Sequence, residues 1–316
     1  MKVLANDGVS KSGIKSLEKA GFEVITTTVA QEQLIEYIND HQIDVILVRS
    51  ATKVRQDIID SCPSLKIIGR GGVGMDNIDV DYARSKNIKV INTPAASSAS
   101  VAELVFAHLF GGVRFLYDSN RNMPLDGDSK FKELKKNYGG GRELRGKTLG
   151  IVGLGRIGQE VAKIGIGCGM KVIASDKFME TTTISVAFYD KQKLDFKIQT
   201  IPFEQLLKES DFISVHVPAQ KDYIFGKTEF NKMKDGAAII NAARGGVIDE
   251  TALIEAVENN KLSFAAIDTF ENEPTPAIKV LMNGKLSLTP HIGAATNEAQ
   301  DRIGIELADQ IKNILL

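Results

Sequence analysis

Three short segments late in the sequence carry an arginine, two acidic side chains and a histidine. Arg244 directly follows an apolar run, Glu271 and Glu273 lie close together some thirty residues later, and His291 follows a further apolar run. A histidine can exchange a proton with a hydroxyl group, and a guanidinium can bind an adjacent carboxylate through two hydrogen bonds. These residues predict proton transfer on a hydroxy acid. A carboxylate beside His291 would favour the protonated imidazole and fix its tautomer, and spacing alone leaves Glu271 and Glu273 open for that role.

The chain has four histidines, which differ in their local sequence. His291 is the best acid–base candidate, because Pro290 restricts the backbone where a strand enters a loop. His216 ranks second: it ends a strand at the edge of a sheet where ligands approach, and it could line a cofactor cleft through its backbone. His41 lies in a polar helix end, and His108 lies inside an apolar helix, where a packed core histidine is expected. For Arg244 the alternative is a surface ion pair.

A glycine-rich segment predicts the cofactor. Gly153, Gly155 and Gly158 follow an apolar strand and open a helix, so that they permit a tight turn, backbone approach to a pyrophosphate and close helix–strand packing. Asp176 ends the next strand, 176 − 158 = 18 positions later, where a carboxylate accepts ribose hydroxyls and repels a 2′-phosphate. The pattern favours NAD over NADP. The alternative is an ordinary strand–turn–helix whose glycines serve packing alone.

Two series of alternating β-rich and amphipathic segments position these residues. The first occupies about ninety residues and the second begins near residue 148, which predicts an α/β protein with two doubly wound parallel sheets. We expect a Rossmann NAD-binding domain over 94–292, inserted in a flavodoxin-like substrate domain of 1–93 and 293–316. One long apolar helix is predicted over 98–116, followed by an exposed polar arm over 118–141. The segment 177–199 is polar and irregular, with no function assigned.

Composition narrows the possible partners. The chain is 43% hydrophobic and 25% charged with a net charge of −1, as in ordinary globular proteins, and no global basic field favours nucleic acid or an anionic membrane. No apolar run approaches a membrane span and the start resembles no signal peptide, so we expect a cytoplasmic protein. Cys62 and Cys168 are far apart, which favours free thiols without an assigned role, and no metal site is predicted.

The motifs around the candidate residues resemble those of a known family. Residues 243–250, 268–274 and 289–294 are similar to the successive arginine, glutamate and histidine motifs of the D-isomer-specific 2-hydroxyacid dehydrogenases. The resemblance extends over essentially the whole chain. It implies that Arg244 binds and polarises a 2-oxo acid, that Glu273 rather than Glu271 tunes the histidine, and that His291 exchanges the proton.

The same resemblance implies a set of residues that approach NAD, with Asp176 on the ribose and Asp268 facing the nicotinamide carboxamide. The expected cofactor-binding residues are Val73, Gly153, Gly155, Arg156, Ile157, Gly158, Asp176, His216, Val217, Pro218, Ala242, Arg244, Asp268, His291, Gly293 and Ala294.

Within the family, residues 48–54, 69–77 and 92–94 are most like the D-3-phosphoglycerate dehydrogenases. This implies oxidation of 3-phosphoglycerate to 3-phosphohydroxypyruvate, the first step of serine biosynthesis. Cations would bind the phosphate, with a solvated charged rim as the alternative, and the glycine-rich backbone at 71–74 would bind the substrate carboxylate. The expected substrate-binding residues are Arg49, Ser50, Lys53, Arg70, Gly72, Val73, Gly74, Arg244 and His291.

Other functions on this scaffold stay open. One is a glyoxylate or hydroxypyruvate reductase, or another D-2-hydroxyacid dehydrogenase, for which the basic side chains would be incidental. Another is a NAD-sensing corepressor without turnover, against which the complete set of Arg244, Glu273 and His291 argues. The family pairs its cofactor domains through the helix predicted at 98–116, which implies a homodimer or a higher homo-oligomer. Because the sequence ends at Leu316, we expect no appended regulatory domain.

Overall fold

Short apolar runs that alternate with amphipathic segments form a parallel sheet in the first part of the chain. The computed structural model describes residues 1–316. Its first five strands form one sheet in the order β2-β1-β3-β4-β5, and every pairing is parallel. The elements are β1 (Lys2–Ala5), α1 (Lys11–Lys19), β2 (Glu23–Ile25), α2 (Leu34–His41), β3 (Val45–Val48), α3 (Gln56–Ser61), β4 (Ile67–Arg70), α4 (Val80–Ser85) and β5 (Lys89–Asn92).

A second parallel sheet has six strands in the order β13-β12-β11-β10-β6-β7. The chain moves outward from β6 to β7 and then returns to the other side of β6, so the order reverses between β6 and β10. The elements are α5 (Ser98–Val113), α6 (Leu116–Asp126), α7 (Phe131–Asn137), β6 (Thr148–Val152), α8 (Arg156–Gly167), β7 (Lys171–Ser175), β8 (Thr181–Ala187), β9 (Lys193–Gln199), α9 (Phe203–Glu209), β10 (Phe212–Val215), α10 (Lys227–Lys232), β11 (Ala237–Asn241), α11 (Glu250–Glu258), β12 (Leu262–Ile267), α12 (Ile278–Leu281) and β13 (Leu286–Leu288).

The chain divides into two units. The first unit is Met1–Ser100 with Ala294–Leu316, and the second unit is Val101–Gly293. The last helix, α13 (Asn297–Leu315), packs on α1 in the first unit, where Gly13 lies against the backbone of Gly304. Both faces of each sheet are covered by apolar side chains, as a parallel sheet requires. The predicted α/β class with two doubly wound sheets is confirmed.

The structure differs from the sequence-based expectation around the long apolar helix. The helix expected over 98–116 ends at Val113, because Phe115 adopts a left-handed backbone with φ 53°, and α6 then begins at Leu116. The segment expected as a polar arm forms α6 and α7. The first unit extends to Ser100, a few residues beyond the domain boundary that the sequence predicts at 93/94. No single helix is both long and apolar enough to cross a membrane, and α5 and α6 meet that criterion only when counted together across a 55° bend.

The prediction of an irregular segment over residues 177–199 is wrong. These residues contain an antiparallel hairpin. Strands β8 and β9 pair from Thr181↔Gln199 to Ala187↔Lys193. Ile184 and Ile198 point inward and join the core of the second unit, while most neighbouring side chains are exposed. Alternation of buried and exposed residues over 181–187 is the strand signal that the polar composition obscured.

Candidate active site

The histidine and the glutamate singled out in the sequence form a hydrogen-bonded pair in the second unit. His291 Nδ1 lies 2.8 Å from Glu273 Oε2, and Glu273 Oε1 accepts the backbone N–H of Phe270 at 2.9 Å. The side chains of His291 and Glu273 are 39% and 37% exposed, so the pair is open to a ligand. A carboxylate at Nδ1 holds the proton on that nitrogen and leaves Nε2 as the proton acceptor of the neutral ring.

Glu271, the other carboxylate that the spacing left open, is engaged elsewhere. Its Oε1 accepts the N–H of Glu250 at 3.0 Å, and Glu250 Oε1 accepts the N–H of Glu271 at 2.9 Å. Burial raises the pKa of Glu250. This reciprocal pair ties the start of α11 to the segment that carries Glu273, a support that the sequence analysis did not identify.

Arg244 lies on a turn that its own neighbours hold in place. Asn241 at the end of β11 donates to the carbonyl of Arg244 at 2.9 Å and accepts the N–H of Ala243 at 3.0 Å. The next residue, Gly245, lies so close to the carbonyl of Phe270 that a Cβ atom would collide with it. The turn of Arg244 and the segment of Glu273 are therefore in direct contact at a position where only glycine fits.

The glycine-rich segment has the geometry that a dinucleotide requires. Gly153 has φ 92° and lies against the carbonyl of His216, and a Cβ on Gly158 would meet the carbonyl of Gly153. Beside Gly155 there is open space. Gly155 is the N-cap of α8 and no side chain caps this helix, so the N-terminus can face a pyrophosphate through Arg156 and Ile157. The residues present therefore fit NAD.

Asp176 lies beside this turn and is held by backbone N–H groups. Its Oδ2 accepts the N–H of Leu154 at 2.7 Å, and its Oδ1 accepts the N–H of Phe178 at 2.8 Å. These bonds fix the carboxylate between the glycine turn and the start of the hairpin. Its expected contact with the ribose and its discrimination against a 2′-phosphate stay predictions.

The remaining predicted residues of the second unit lie at the same edge of its sheet. His216, Val217 and Pro218 follow β10, Ala242 follows β11, and Asp268 follows β12. The carboxyl ends of parallel strands, next to a reversal of strand order, are where ligands bind in such sheets. His216 is no proton donor for this site, because its Nε2 bonds Ser214 Oγ at 2.7 Å and burial lowers its pKa to about 3.

Asp268 is almost fully buried and collects hydrogen bonds around His291. Thr289 Oγ1 donates to Asp268 Oδ1 at 2.6 Å, and the N–H groups of Ile292 and Gly293 donate at 2.8 and 2.9 Å. These contacts could not be predicted from the sequence, because the residues that make them are ordinary at their positions. Its expected contact with the nicotinamide carboxamide stays a prediction.

In the first unit, the residues expected to bind substrate follow neighbouring strands. Val48 and Arg70 are paired at the ends of β3 and β4, so Arg49 and Gly71 lie side by side. Gly72 has φ 150°, and the guanidinium of Arg70 occupies the space where a Cβ on Gly72 would lie. Arg49 Cγ is 3.6 Å from the position of a Cβ on Gly71.

Two side chains hold the loop of Arg49 in place. Asp7 Oδ2 accepts the N–H of Arg49 at 2.6 Å and that of Thr52 at 3.1 Å. Asn77 donates to the carbonyls of both residues, at 2.8 and 2.6 Å. Ser50 lies within this loop, and Lys53 exchanges two hydrogen bonds with Gln31 at its end. Farther on, Val73 and Gly74 follow Gly72, and Ala294 belongs to the same unit.

Comparisons with known proteins identify the family of the chain. The sequence model described as D-isomer specific 2-hydroxyacid dehydrogenase, NAD binding domain, matches residues 106–293. A hydroxypyruvate reductase of Thermotoga maritima is 43% identical and covers 98% of this chain and 97% of its own. A D-3-phosphoglycerate dehydrogenase of Methanocaldococcus jannaschii is 40% identical, and the match covers 100% of this chain but 57% of that relative, so the chain spans little more than half its length.

A solved structure points to the same family. The NAD⁺-bound 3-phosphoglycerate dehydrogenase of Entamoeba histolytica superimposes with a TM-score of 0.76 at 31% identity, over 99% of this chain and 95% of its own. The second unit is thus a NAD-binding domain. The chain belongs to the D-isomer-specific 2-hydroxyacid dehydrogenases.

Proposed function

We propose that this protein oxidises 3-phosphoglycerate at C2 to 3-phosphohydroxypyruvate with NAD, the entry step of serine synthesis. The observation that carries the proposal is the placement of Arg49 and Arg70 against the Gly71–Gly72 backbone of the first unit. An unphosphorylated hydroxy acid offers a single carboxylate, which Arg244 and backbone donors can bind. Further guanidinium groups at this turn suit a second anionic group such as a phosphate.

In this reaction His291 Nε2 accepts the proton of the C2 hydroxyl. The Glu273 carboxylate at Nδ1 stabilises the imidazolium that results. Arg244 binds the C1 carboxylate and polarises the oxygen on C2, where negative charge develops. The bound cofactor supplies the acceptor for the hydride that leaves C2. The proton and the hydride together are the two hydrogens lost when the alcohol becomes a ketone.

The loop around Arg49 supports the phosphate assignment because it is held before any ligand arrives. Asp7 and Asn77 fix the backbone on both sides of Ser50. A loop that is already ordered loses little conformational entropy when it binds an anion. Lys53, held through its backbone by Gln31, would add a further cation to the same loop.

Hydroxypyruvate reduction is the second candidate. The relative named hydroxypyruvate reductase matches this chain over nearly the full length of both proteins, whereas the match to the phosphoglycerate dehydrogenase covers 57% of that protein. The two functions share His291, Glu273 and Arg244. They differ in whether Arg49 and Arg70 bind a substrate group.

Removing one guanidinium separates the two candidates. In Arg49→Ala we expect kcat/KM for phosphohydroxypyruvate to fall at least about tenfold, because a charge-assisted hydrogen bond contributes about 1.5–3 kcal/mol. The value for hydroxypyruvate should stay within about threefold of the parent. Arg84→Ala, which removes an exposed arginine of α4, is the matched control and should change neither value. Equal losses on both substrates in Arg49→Ala would count against the phosphate assignment.

For the assembly we propose a homodimer formed through α5 and α6. Several apolar side chains at this part of the second unit are exposed, with Leu116 at 62% and Leu125 at 75%. Exposed apolar surface of this kind is typical of protein interfaces. Light scattering coupled to gel filtration should give a dimer for the parent and a monomer for Leu125→Asp. A parent that elutes as a monomer at micromolar concentration would contradict the proposal.

A further inference from the structure

The buried histidine of α5 is connected to the segment that carries His291. His108 is 5% exposed, and both of its ring nitrogens have partners on that segment. Nδ1 lies 2.8 Å from Ser287 Oγ, and Nε2 lies 3.1 Å from Thr289 Oγ1. Thr289 in turn donates to Asp268 Oδ1 at 2.6 Å. The expected core histidine is therefore the start of a hydrogen-bond relay, formed by His108, Thr289 and Asp268, that ends beside His291.

The number of available donor hydrogens fixes the direction of the hydrogen bonds in this relay. The single hydroxyl hydrogen of Thr289 goes to Asp268, so Thr289 Oγ1 accepts from His108 and the proton of the imidazole lies on Nε2. Nδ1 of the neutral ring then accepts from the hydroxyl of Ser287. Burial lowers the pKa of His108 against the opposing charge of Asp268, which keeps the ring in the neutral form that this pattern needs.

The relay contacts the backbone on both sides of His291. Asp268 binds Thr289, two residues before His291, and it also accepts the N–H groups of Ile292 and Gly293, which follow it. His291 itself has φ 54°, in the left-handed region that a residue with a side chain rarely occupies. Such a conformation costs of order 1–3 kcal/mol and persists only where its surroundings hold it.

We propose that His108 is a positioning residue for hydride transfer: through Thr289 and Asp268 it holds the backbone around His291 and so aims the imidazole at the substrate hydroxyl. The inference rests on the proposed role of His291 in proton transfer. It does not depend on whether the substrate carries a phosphate. In this role His108 touches neither substrate nor cofactor and acts only through the loop.

Two substitutions at Thr289 test the relay, one that removes its hydroxyl group and one that restores it. Thr289→Val replaces the hydroxyl with a methyl group of similar size, and Thr289→Ser restores the hydroxyl. With the 2-oxo acid on which the parent is most active, we expect Thr289→Val to lower kcat about tenfold or more, because small displacements of a reacting group are costly. KM should change less than about threefold, and Thr289→Ser should regain most of kcat.

His108 supplies the second half of the test. His108→Phe should lower kcat to a similar extent, and His108→Gln, which retains a donor and an acceptor, should retain more of it. The kcat of the double variant His108→Phe/Thr289→Val should be no lower than that of the less active single variant, because either substitution alone already breaks the relay. Ser210→Ala removes a buried hydroxyl that bonds Leu206 away from this relay, and it should keep the parent kcat.

Two results would overturn the relay. One is a folded Thr289→Val variant with kcat within twofold of the parent. The other is a pair of effects that multiply in the double variant, as independent structural damage would. Failure of the proposed function looks different: in that case turnover would survive His291→Ala in an otherwise folded protein. If His108→Phe does not fold, the Thr289 pair alone decides the question.

Discussion

His291 Nδ1 and Glu273 Oε2 lie 2.8 Å apart, and the other oxygen of Glu273 is held by the backbone N–H of Phe270. The carboxylate is thus fixed before it meets the imidazole. Because the two residues are 291 − 273 = 18 positions apart in sequence, their pairing depends on the fold and not on local structure. We propose that this pair supplies the proton transfer that the bound cofactor cannot perform.

Changes to the pair should affect turnover in graded steps. His291→Ala should lower kcat about 100-fold or more, since general acid–base catalysis contributes about 10²–10⁴-fold. Glu273→Gln should fall between His291→Ala and the parent, because the amide can still accept a hydrogen bond but carries no charge. NADH oxidation with the preferred 2-oxo acid measures both effects.

The matched control is Glu271→Gln. The Glu271 side chain binds the N–H of Glu250 rather than His291, and an amide oxygen can accept that bond. Its kcat should stay close to that of the parent. A loss as large as that of Glu273→Gln would show that the wrong glutamate has been assigned.

A methyl group at Gly245 should disturb the site without removing any functional group. A Cβ there would collide with the carbonyl of Phe270, which links the turn of Arg244 to the segment of Glu273. For Gly245→Ala we expect a loss of about 1–3 kcal/mol in the free energy of unfolding, as overpacking typically costs, with at least a tenfold loss in kcat/KM. Gly284→Ala, where a Cβ meets open space, is the control and should be nearly neutral in urea unfolding and in turnover.

Cofactor preference should depend on the charge of Asp176. Asp176→Asn keeps one carbonyl oxygen for the N–H groups of the neighbouring turns but removes the charge that repels a 2′-phosphate. We expect kcat/KM for NADH to fall and the ratio of NADPH to NADH activity to rise about tenfold. Asp190→Asn, at the exposed end of the hairpin, removes the same charge at a distance from the glycine turn. An unchanged ratio in Asp176→Asn would exclude this residue as the determinant.

Stability should fall in mild acid because of His216. Burial lowers the pKa of His216 from 6.5 to about 3, so below pH 6.5 the unfolded chain takes up a proton that the folded chain does not. The loss begins as pH falls through 6.5 and reaches about 2 kcal/mol at pH 5. Urea unfolding should give a decrease in the free energy of unfolding between pH 7 and pH 5. In His216→Gln this decrease should be smaller than in the parent by about the same amount. Identical pH dependence in the two proteins would contradict the burial of this imidazole.

The glycine turn, Asp176 and the strand ends could be predicted from sequence because each is local. Gly153 and Gly155 follow one apolar strand directly, and Asp176 ends the next, so periodicity and turn chemistry suffice. The alternation of strands and helices was equally visible. The helix break at Phe115 could not be predicted, because a residue other than glycine gives no sequence signal for a left-handed backbone. The sequence therefore predicts that the helix continues.

The contacts that support the site could not be read from the sequence. His108 and Thr289 are 289 − 108 = 181 positions apart in sequence, and Glu250 and Glu271 are 21 apart, so only the packed fold brings each pair together. Buried polar side chains of this kind look like isolated exceptions in an apolar pattern. Their partners become known only when the hydrogen bonds are counted.

The decisive measurement is kcat/KM for NADH oxidation with phosphohydroxypyruvate and with hydroxypyruvate, on the parent protein under identical conditions. Glyoxylate and pyruvate complete the comparison. We expect phosphohydroxypyruvate to be preferred over hydroxypyruvate by at least about tenfold, because its phosphate gains a charge-assisted hydrogen bond. Equal values, or a preference for hydroxypyruvate, would contradict the assignment of Arg49 and Arg70 to a substrate phosphate.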